Sequence, residues 1–522
     1  MENTFSFSGY ELPVGMSKLI WNFVPVSIES LSSSHELQSI MHISLPLQLY
    51  GAAVLGLLSH LCVFIRGEWH MQAPTILILY SILSLLIFLA EIRYGASDVV
   101  SSLSKTLLLA SSYSTALFTS MVIYRKYFHR LRHFPGPWLA GATKFWHVYQ
   151  CRDGRNHLLL ERLRQQYGPI IRTGPEELTI IDPEMPGAVD GPGNNCSKAI
   201  WYDFLLPEIA LNTTRSKRDH DTRRRIWDRG FSAKALAYYE ERVVEYAETL
   251  EARIAELSRR GEPVDVSQWF YWFTFDVMGE FAFAKSFGML RDEKWHIAVV
   301  MLRKAMRLLG PLSPVPWLAQ IGFYIAPWMW VVRDWLAMLV WCRERMGERI
   351  QMTAAKPDVS HWLIEASRKR NSLEKDREWL NGDAVTIIIA GSPAAGLTLT
   401  DGRYIPGGTT IVAPRYSLAR LESCYEMPTC FVPERWYSRP EMVRDRRGFA
   451  PFALGRYSCV GKALAMSELR FVTALLVSRY DIGFAKGEDG TSVLRELRDQ
   501  FTAAPGALNL SFQRRGLDGQ TG

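Results

Sequence analysis

The sequence contains no Cys-x-x-Cys pair, no internal repeat, no low-complexity tract and no Ser/Gly/Pro-rich linker through its second two-thirds. Its seven cysteines, at 62, 151, 196, 342, 424, 430 and 459, are scattered. That scatter excludes a disulfide framework and a zinc site, and it suits reducing surroundings for the soluble part. The missing linkers and charge blocks argue against a string of separate domains. A signal peptide does not fit either, because the first long apolar run begins well inside the chain. No histidine follows His361, so a cysteine protease is a poor reading of the late cysteines. What remains is a 522-residue chain, 48% apolar and 22% charged, which is ample for a large core and far from the composition of a disordered protein.

Three apolar runs stand near the amino-terminal end: Leu45–Ile65, Ala73–Ala90 and Thr106–Tyr124. Each is about long enough to cross a bilayer core, and the last two hold no charged residue. One such run alone could be a buried globular helix; three in succession predict membrane insertion. The stretch Tyr124–Phe134 that follows carries Arg125, Lys126, Arg130 and Arg132 and no acid. Basic segments stay cytosolic, so residues 1–44 are expected in the lumen and everything after the third span in the cytosol. The net charge of +7 is therefore read as facing a membrane surface, and nucleic acid is not the expected partner. In Phe134–Trp138, two prolines around Gly136 predict a stiff hinge closing the segment 125–137.

From 138 to 522 the pattern predicts one mainly α domain with small β-sheets. Tyr167–Asp182 reads as a hairpin turning at Gly174-Pro175, and Leu399–Ile405 as a second, turning at Asp401-Gly402. Ala235–Arg259, Val266–Phe283 and Lys462–Ser478 carry helical periodicity. Trp317–Trp341 has the length of a fourth span, but Pro327 interrupts it and Arg333-Asp334 would lie deep in lipid. It is read either as aromatic helices that dip into the membrane or line an apolar entrance, or as an ordinary core pair.

A lone cysteine is usually a small buried hydrophobe. Cys459 is different because of its setting, Phe452-x-x-Gly455-x-x-x-Cys459-x-Gly461. A thiolate ligand to iron needs positive potential and backbone N–H donors around it. Glycines let a loop curl close to the sulfur, the helix starting at Lys462 points its positive end toward it, and Phe452 can shield it from water.

These residues resemble the haem-binding loop of the membrane-bound fungal cytochrome P-450 monooxygenases. The family usually has Arg or His two residues before the cysteine; here that position is Tyr457, and Arg456 is the nearest cation. The resemblance extends to His220–Arg225, which is similar to the family's propionate-binding helix. There, His220 and Arg224 share a helix face. Phe431–Trp436 is similar to the PERF/PERW segment, Pro393–Pro406 to the hairpin before it, and Phe134–Pro137 to the membrane hinge. The resemblance implies a haem-thiolate fold with Cys459 as the metal ligand, and Phe452, Gly455, Gly461, His220, Arg224 and Arg456 as cofactor-binding residues. It further implies oxidation of a small apolar molecule, electrons from an NADPH-dependent reductase, an endoplasmic-reticulum membrane and a place in secondary-metabolite biosynthesis. The cluster Arg215–Arg229 is a candidate docking face for an acidic electron donor.

The pattern breaks at Ser392. Asn381–Ser392 resembles the start of the family's distal helix, in which Ala-Gly-x is followed by an acid and a Thr. Here Ala390-Gly391-Ser392 runs into Pro393, which disfavours helix before it. The acid–Thr pair and the Glu-x-x-Arg helix are absent, since Glu161-x-x-Arg164 lies far too early, so no catalytic residue is assignable. Arg435 of the PERW segment is expected to lack its carboxylate. Breaking such a buried pair costs about 3–5 kcal/mol, and the polypeptide as written is expected to be inactive or badly impaired. A missed coding segment at 392/393 accounts for two flanks that each stay in register; a real deletion is the alternative. Two other functions stay open: a non-catalytic membrane protein, and a haem-thiolate isomerase or dehydratase.

Overall fold

The computed structural model describes residues 43–516, apart from 96–97, 192–195, 313, 353–356, 389–396, 399–403 and 501. The chain divides into two units, Met1–Arg66 with Leu77–Ser120, and Gly67–Ile76 with Met121–Gly522.

Among the described residues, three helices are long and apolar enough to cross a membrane, Leu45–Phe64, His70–Tyr94 and Val99–Phe128, and most of their length falls in the first unit. Helix α1 (Leu45–Leu58) continues through a π-turn to Phe64. α2 (Ala73–Tyr94) and α3 (Val99–Ile123) follow. The second and third are longer than the sequence suggests. The extra turns carry Glu91 and Lys105, whose ion pair at 2.8 Å offsets both charges, which is why runs counted as charge-free stop short of the true helix ends. Leu79, Leu86 and Leu107 are exposed, as lipid-facing side chains are. A methyl group on Gly56 would meet the Tyr113 carbonyl at 2.3 Å, so glycine permits close approach of α1 and α3.

The second unit is mainly helical with small sheets, as expected. α4 (Asn156–Tyr167) leads into the hairpin β1 (Ile170–Gly174) and β2 (Glu177–Ile180), and β2 pairs in parallel with the later strand β6 (Thr410–Val412). The turn lies at Gly174-Pro175, where the sequence places it. The proline hinge packs on this sheet: the Arg172 N–H donates to the Pro135 carbonyl at 2.6 Å. Helix α5 (Lys217–Gly230) follows, capped by Ser216, then α6 (Ala233–Arg259), β3 (Val264–Asp265) and α7 (Val266–Phe283).

The predicted fourth apolar stretch is two helices, α9 (Pro316–Ile325) and α10 (Trp330–Gln351), after α8 (Ile297–Leu312). The break falls at Ala326–Met329, where Pro327 forces it. α10 buries Trp335, Leu336, Leu339 and Cys342 against Leu302 and Met306 of α8, so it is a core helix. Tyr324, Trp328 and Met329 stay exposed around the break.

α11 (Val359–Lys369) and α12 (Arg377–Ile388) complete the helices before the seam, and residues 389–396 lie outside the described residues. Of the second predicted hairpin, β4 (Leu397–Thr398) and β5 (Tyr404–Ile405) pair antiparallel, while the turn at 401–402 lies outside the described residues. After β6 come α13 (Lys462–Arg479), β7 (Tyr480–Phe484), the pair β8 (Arg498–Gln500) and β9 (Thr502–Ala504), and β10 (Asn509–Arg514) between β3 and β7. The main core gathers Trp272, Phe281, Leu250, Leu363, Leu380 and Leu476 from α6, α7, α11, α12 and α13.

Candidate functional site

α13 begins three residues after Cys459, and its first N–H, that of Lys462, donates to the Cys459 carbonyl at 3.4 Å, so the positive end of the helix adjoins the cysteine loop, as the sequence indicates. The loop closes on itself through the Cys459 N–H, which donates to the Phe452 carbonyl at 2.8 Å. Gly455 has φ +56, and a Cβ there would lie 1.9 Å from the Asp190 carbonyl oxygen. No other residue fits that turn. Asp190 is fully buried and pairs with Arg415 at 2.5 Å, and burial pushes its carboxyl upward. Gly461 leaves the space beside the sulfur open: a Cβ there would stand 4.0 Å from Cys459 Sγ and 3.7 Å from Phe231. Cys459 itself is exposed, with Phe452 half-buried beside the loop.

α5 supplies the second wall. Its buried face carries His220, Arg223, Ile226, Trp227 and Gly230, at the three- and four-residue spacing of one helical side. Arg224 lies at the edge of that face, donating from Nη1 to the Ser458 carbonyl at 2.7 Å and from Nε to Asp228 at 2.7 Å. Helix and cysteine loop are thereby joined one residue before the thiol. Arg456 reaches the same helix through an ion pair with Asp221. The His220 ring lies edge-on to Tyr457, centroids 4.8 Å apart, and its Nδ1 meets Asp221 at 3.2 Å. Burial, and then the nearby Lys198 charge, hold the His220 pKa down at about 4, so its imidazole is neutral at pH 7. The seven residues singled out in the sequence thus converge on one loop and one helix.

Two groups here escape sequence reasoning. Asp383 of α12 is fully buried and accepts from Arg223 Nε at 2.6 Å, Trp227 Nε1 at 3.1 Å and the Leu211 N–H at 3.0 Å. This lock fixes α12 against α5. Nothing in the run Arg223-Arg224-Arg225 says which arginine turns inward, although Trp227 four residues on marks the buried side. The other is Lys198, which is 2% exposed and donates to the Leu211 carbonyl at 2.9 Å. Burial lowers its pKa to about 7.

Arg435 is buried, and its guanidinium bonds only to the carbonyls of Val432, Met427 and Cys430, with the Tyr425 ring 5.7 Å away. Among the described residues it has no carboxylate partner. Glu161 and Arg164 pair with each other on α4, 2.7 Å apart.

A further ion-pair network ties the connector Gly67–Ile76 into the second unit. Arg215 donates to both Glu68 oxygens at 2.7 Å and to Asp203 at 2.7 Å, and His70 Nε2 meets Asp203 at 2.8 Å. Glu68, His70 and Asp203 converge as metal ligands do, but Arg215 already bridges the two carboxylates with hydrogen bonds to each.

The cytochrome P450 family model matches residues 135–337 and 396–511. Tryprostatin B 6-hydroxylase of Neosartorya fischeri is 32% identical over 541 aligned positions, which take in 89% of this chain and 98% of that protein. The cytochrome P450 monooxygenase orf5 of Eupenicillium brefeldianum is 32% identical over 466 positions, taking in 76% and 94%. In the first alignment 89% of this chain is about 465 residues, which leaves about 76 positions of the relative without a counterpart. In the second, 76% is about 397 residues, which leaves about 69. The fold is similar to the crystal structure of a cytochrome P450DA haem domain, with TM-score 0.57 at 15% identity over 73% of this chain and 98% of that one.

Proposed function

The chain belongs to the cytochrome P450 family of haem-thiolate monooxygenases, and from that premise we propose that Cys459 is its axial iron ligand and that it hydroxylates a small apolar molecule of secondary metabolism. The observation that carries this reading is the junction of Arg224 with the Ser458 carbonyl, which holds the thiol loop against the helix bearing His220. The residues present on this side suit haem. A soft, exposed sulfur stands between glycines, and Lys198, Arg224 and neutral His220 gather where an acidic porphyrin edge needs cations and donors. Bound haem supplies the activation of O2 with electrons from an NADPH-dependent reductase. Gly455 sets the loop's path, Gly461 keeps the sulfur accessible, Phe452 anchors the loop through its carbonyl, and His220, Arg224 and Arg456 are the residues that would hold the propionates of a bound haem.

The membrane arrangement is proposed on the same footing. Residues 1–44 lie in the lumen of the endoplasmic reticulum, three helices cross, and the soluble unit is cytosolic. Three crossings put the first connector on the same side as the carboxy-terminal body, and the bonds from Glu68 and His70 to Arg215 and Asp203 support that parity. Protease digestion of sealed microsomes tests it: the soluble unit is degraded without detergent, and protection of that unit contradicts the topology.

A second reading has its own observation. The alignment deficits of about 76 and about 69 positions, the family match that lapses between 337 and 396, and the carboxylate-free Arg435 support a chain lacking a segment at 392/393. Such a chain, translated as written, is a haem-binding protein without turnover. NADPH- and reductase-dependent O2 consumption with product formation favours the monooxygenase; a thiolate-haem spectrum without either favours the non-catalytic form. Genomic DNA and transcripts at codons 392 and 393 decide whether the missing segment is an unspliced coding piece.

A further inference from the structure

Gln320 of α9 is a buried amide whose hydrogen bonds are unmade. It is 1% exposed, and among the described residues neither its Oε1 nor its Nε2 has a partner. Buried polar side chains are paired in almost every folded protein, and an apolar residue of the same size would stand here at no such cost. The setting is aromatic. Phe323, three residues on and on the same helical face, stacks on the Trp335 ring with centroids 6.4 Å apart. Phe204 lies 5.8 Å from Trp335 and 4.7 Å from Trp201. Two more polar atoms share the condition of Gln320: the Trp335 indole N–H and His70 Nδ1 are both buried and, among the described residues, unpaired. His70 Nε2 is engaged with Asp203, so Nδ1 of the neutral ring is an acceptor.

The three groups come from separate parts of the chain and surround one turn. α9 packs on the turn Ile200–Leu205, which carries Trp201, Asp203 and Phe204, and on His70–Gln72 of the connector between the first two spans. Apolar walls with a few polar groups set among them are the mark of a small-molecule site. The cluster adjoins the thiol corner. Tyr202 of the same turn lies 5.7 Å from Lys198 Nζ, which lies 5.0 Å from the ring of Tyr457, two residues before Cys459. Val385 of α12, two residues past Asp383, belongs to the same cluster. We propose that Gln320 is a specificity-determining residue, which pairs with an amide-like group, an N–H donor beside a carbonyl acceptor, on an aromatic substrate. A side-chain amide holds its own acceptor and donor in one plane and so matches that group, while Trp335 and His70 add one donor and one acceptor. A hydrocarbon of the same shape leaves them all unpaired, which disfavours it. The inference deepens the monooxygenase reading and rests on it.

The test uses two probes of one shape, N-benzylbenzamide and 1,3-diphenylpropane, in which two methylenes replace the amide. Each is equilibrated by dialysis with the full-length, detergent-solubilised, haem-loaded chain, with the same detergent on both sides. The ratio of the two affinities is compared between the parent, Gln320→Met and Gln320→Leu. Both variants are expected to shift that ratio toward the hydrocarbon by about tenfold to a hundredfold, the range of two neutral hydrogen bonds. Thermal unfolding without probe is the second measurement: both variants melt no lower than the parent, since each removes an unpaired buried amide. An unchanged ratio, no binding of either probe by the parent, or a marked drop in the melting temperature of both variants overturns the assignment; the last result means that Gln320 is satisfied within the fold or by a trapped water. The reduced-plus-CO spectrum of the same samples keeps the two readings apart. A thiolate-haem band beside an unchanged ratio overturns the role of Gln320 alone, whereas absence of that band from the parent overturns the Cys459 reading and this inference with it.

Discussion

Individual side chains decide whether the thiol loop exists. Gly455 is held at positive φ with no room for a methyl group against Asp190. Gly455→Ala is expected to destabilise the soluble unit by about 2–4 kcal/mol, combining backbone strain with overpacking. Denaturant unfolding of the parent and variant measures it. Asp383 is the other sensitive point: Asp383→Ala strands Arg223 in the core and is expected to cost about 3–5 kcal/mol in the same assay. The loop glycines are legible in sequence because their spacing is specific to a chemistry. Asp383 and Lys198 are not, because a single acid or amine in a sequence carries no mark of burial. His129, His147 and His220 are all buried, and burial leads the causes that hold each pKa at about 4. In the unfolded chain they take up protons near pH 6.5, whereas in the folded chain they stay neutral until about pH 4. Between those values the unfolded state binds more protons, so the stability that these three histidines contribute is full above pH 6.5 and declines as pH falls toward 4. Melting temperatures across that interval check the sign, and a flat or rising profile on acidification contradicts it.

Secondary-structure elements were readable where periodicity and punctuation agreed. Val266–Phe283 is a helix over the same residues that the pattern predicts, and the first hairpin turns at Gly174-Pro175. The spans were found but measured short, because the count stopped at Glu91 and Lys105, charges that the fold pairs with each other. Trp317–Trp341 shows the reverse limit. Hydropathy cannot separate a buried globular helix from a lipid-facing one; packing of Trp335, Leu339 and Cys342 against α8 does so here. The connector Gly67–Ile76 gave no sequence signal, since Glu68 and His70 acquire meaning only beside Arg215 and Asp203. Arg215→Met removes the group that joins both carboxylates. Limited proteolysis is expected to cut the connector faster in this variant than in the parent, whereas equal rates contradict the network.

At the scale of the whole molecule, the order of motifs along the chain was enough to recognise the family, while the proposed break at Ser392 is what separates the monooxygenase reading from the non-catalytic one. Among the described residues the hydrogen bonds of the Arg435 guanidinium go to carbonyls, which is what the proposed loss of a segment there leads one to expect. Inserting at 392/393 the segment of a relative that has no counterpart here is expected to raise haem content per polypeptide. The most direct measurement is the reduced-plus-CO difference spectrum of microsomes carrying the full-length chain beside Cys459→Ser at equal protein level. Sulfur ligation at position 459 predicts a carbonyl thiolate-haem band in the parent, weak per polypeptide, and its loss in the serine variant. The same band, with iron still held, in both proteins would contradict it.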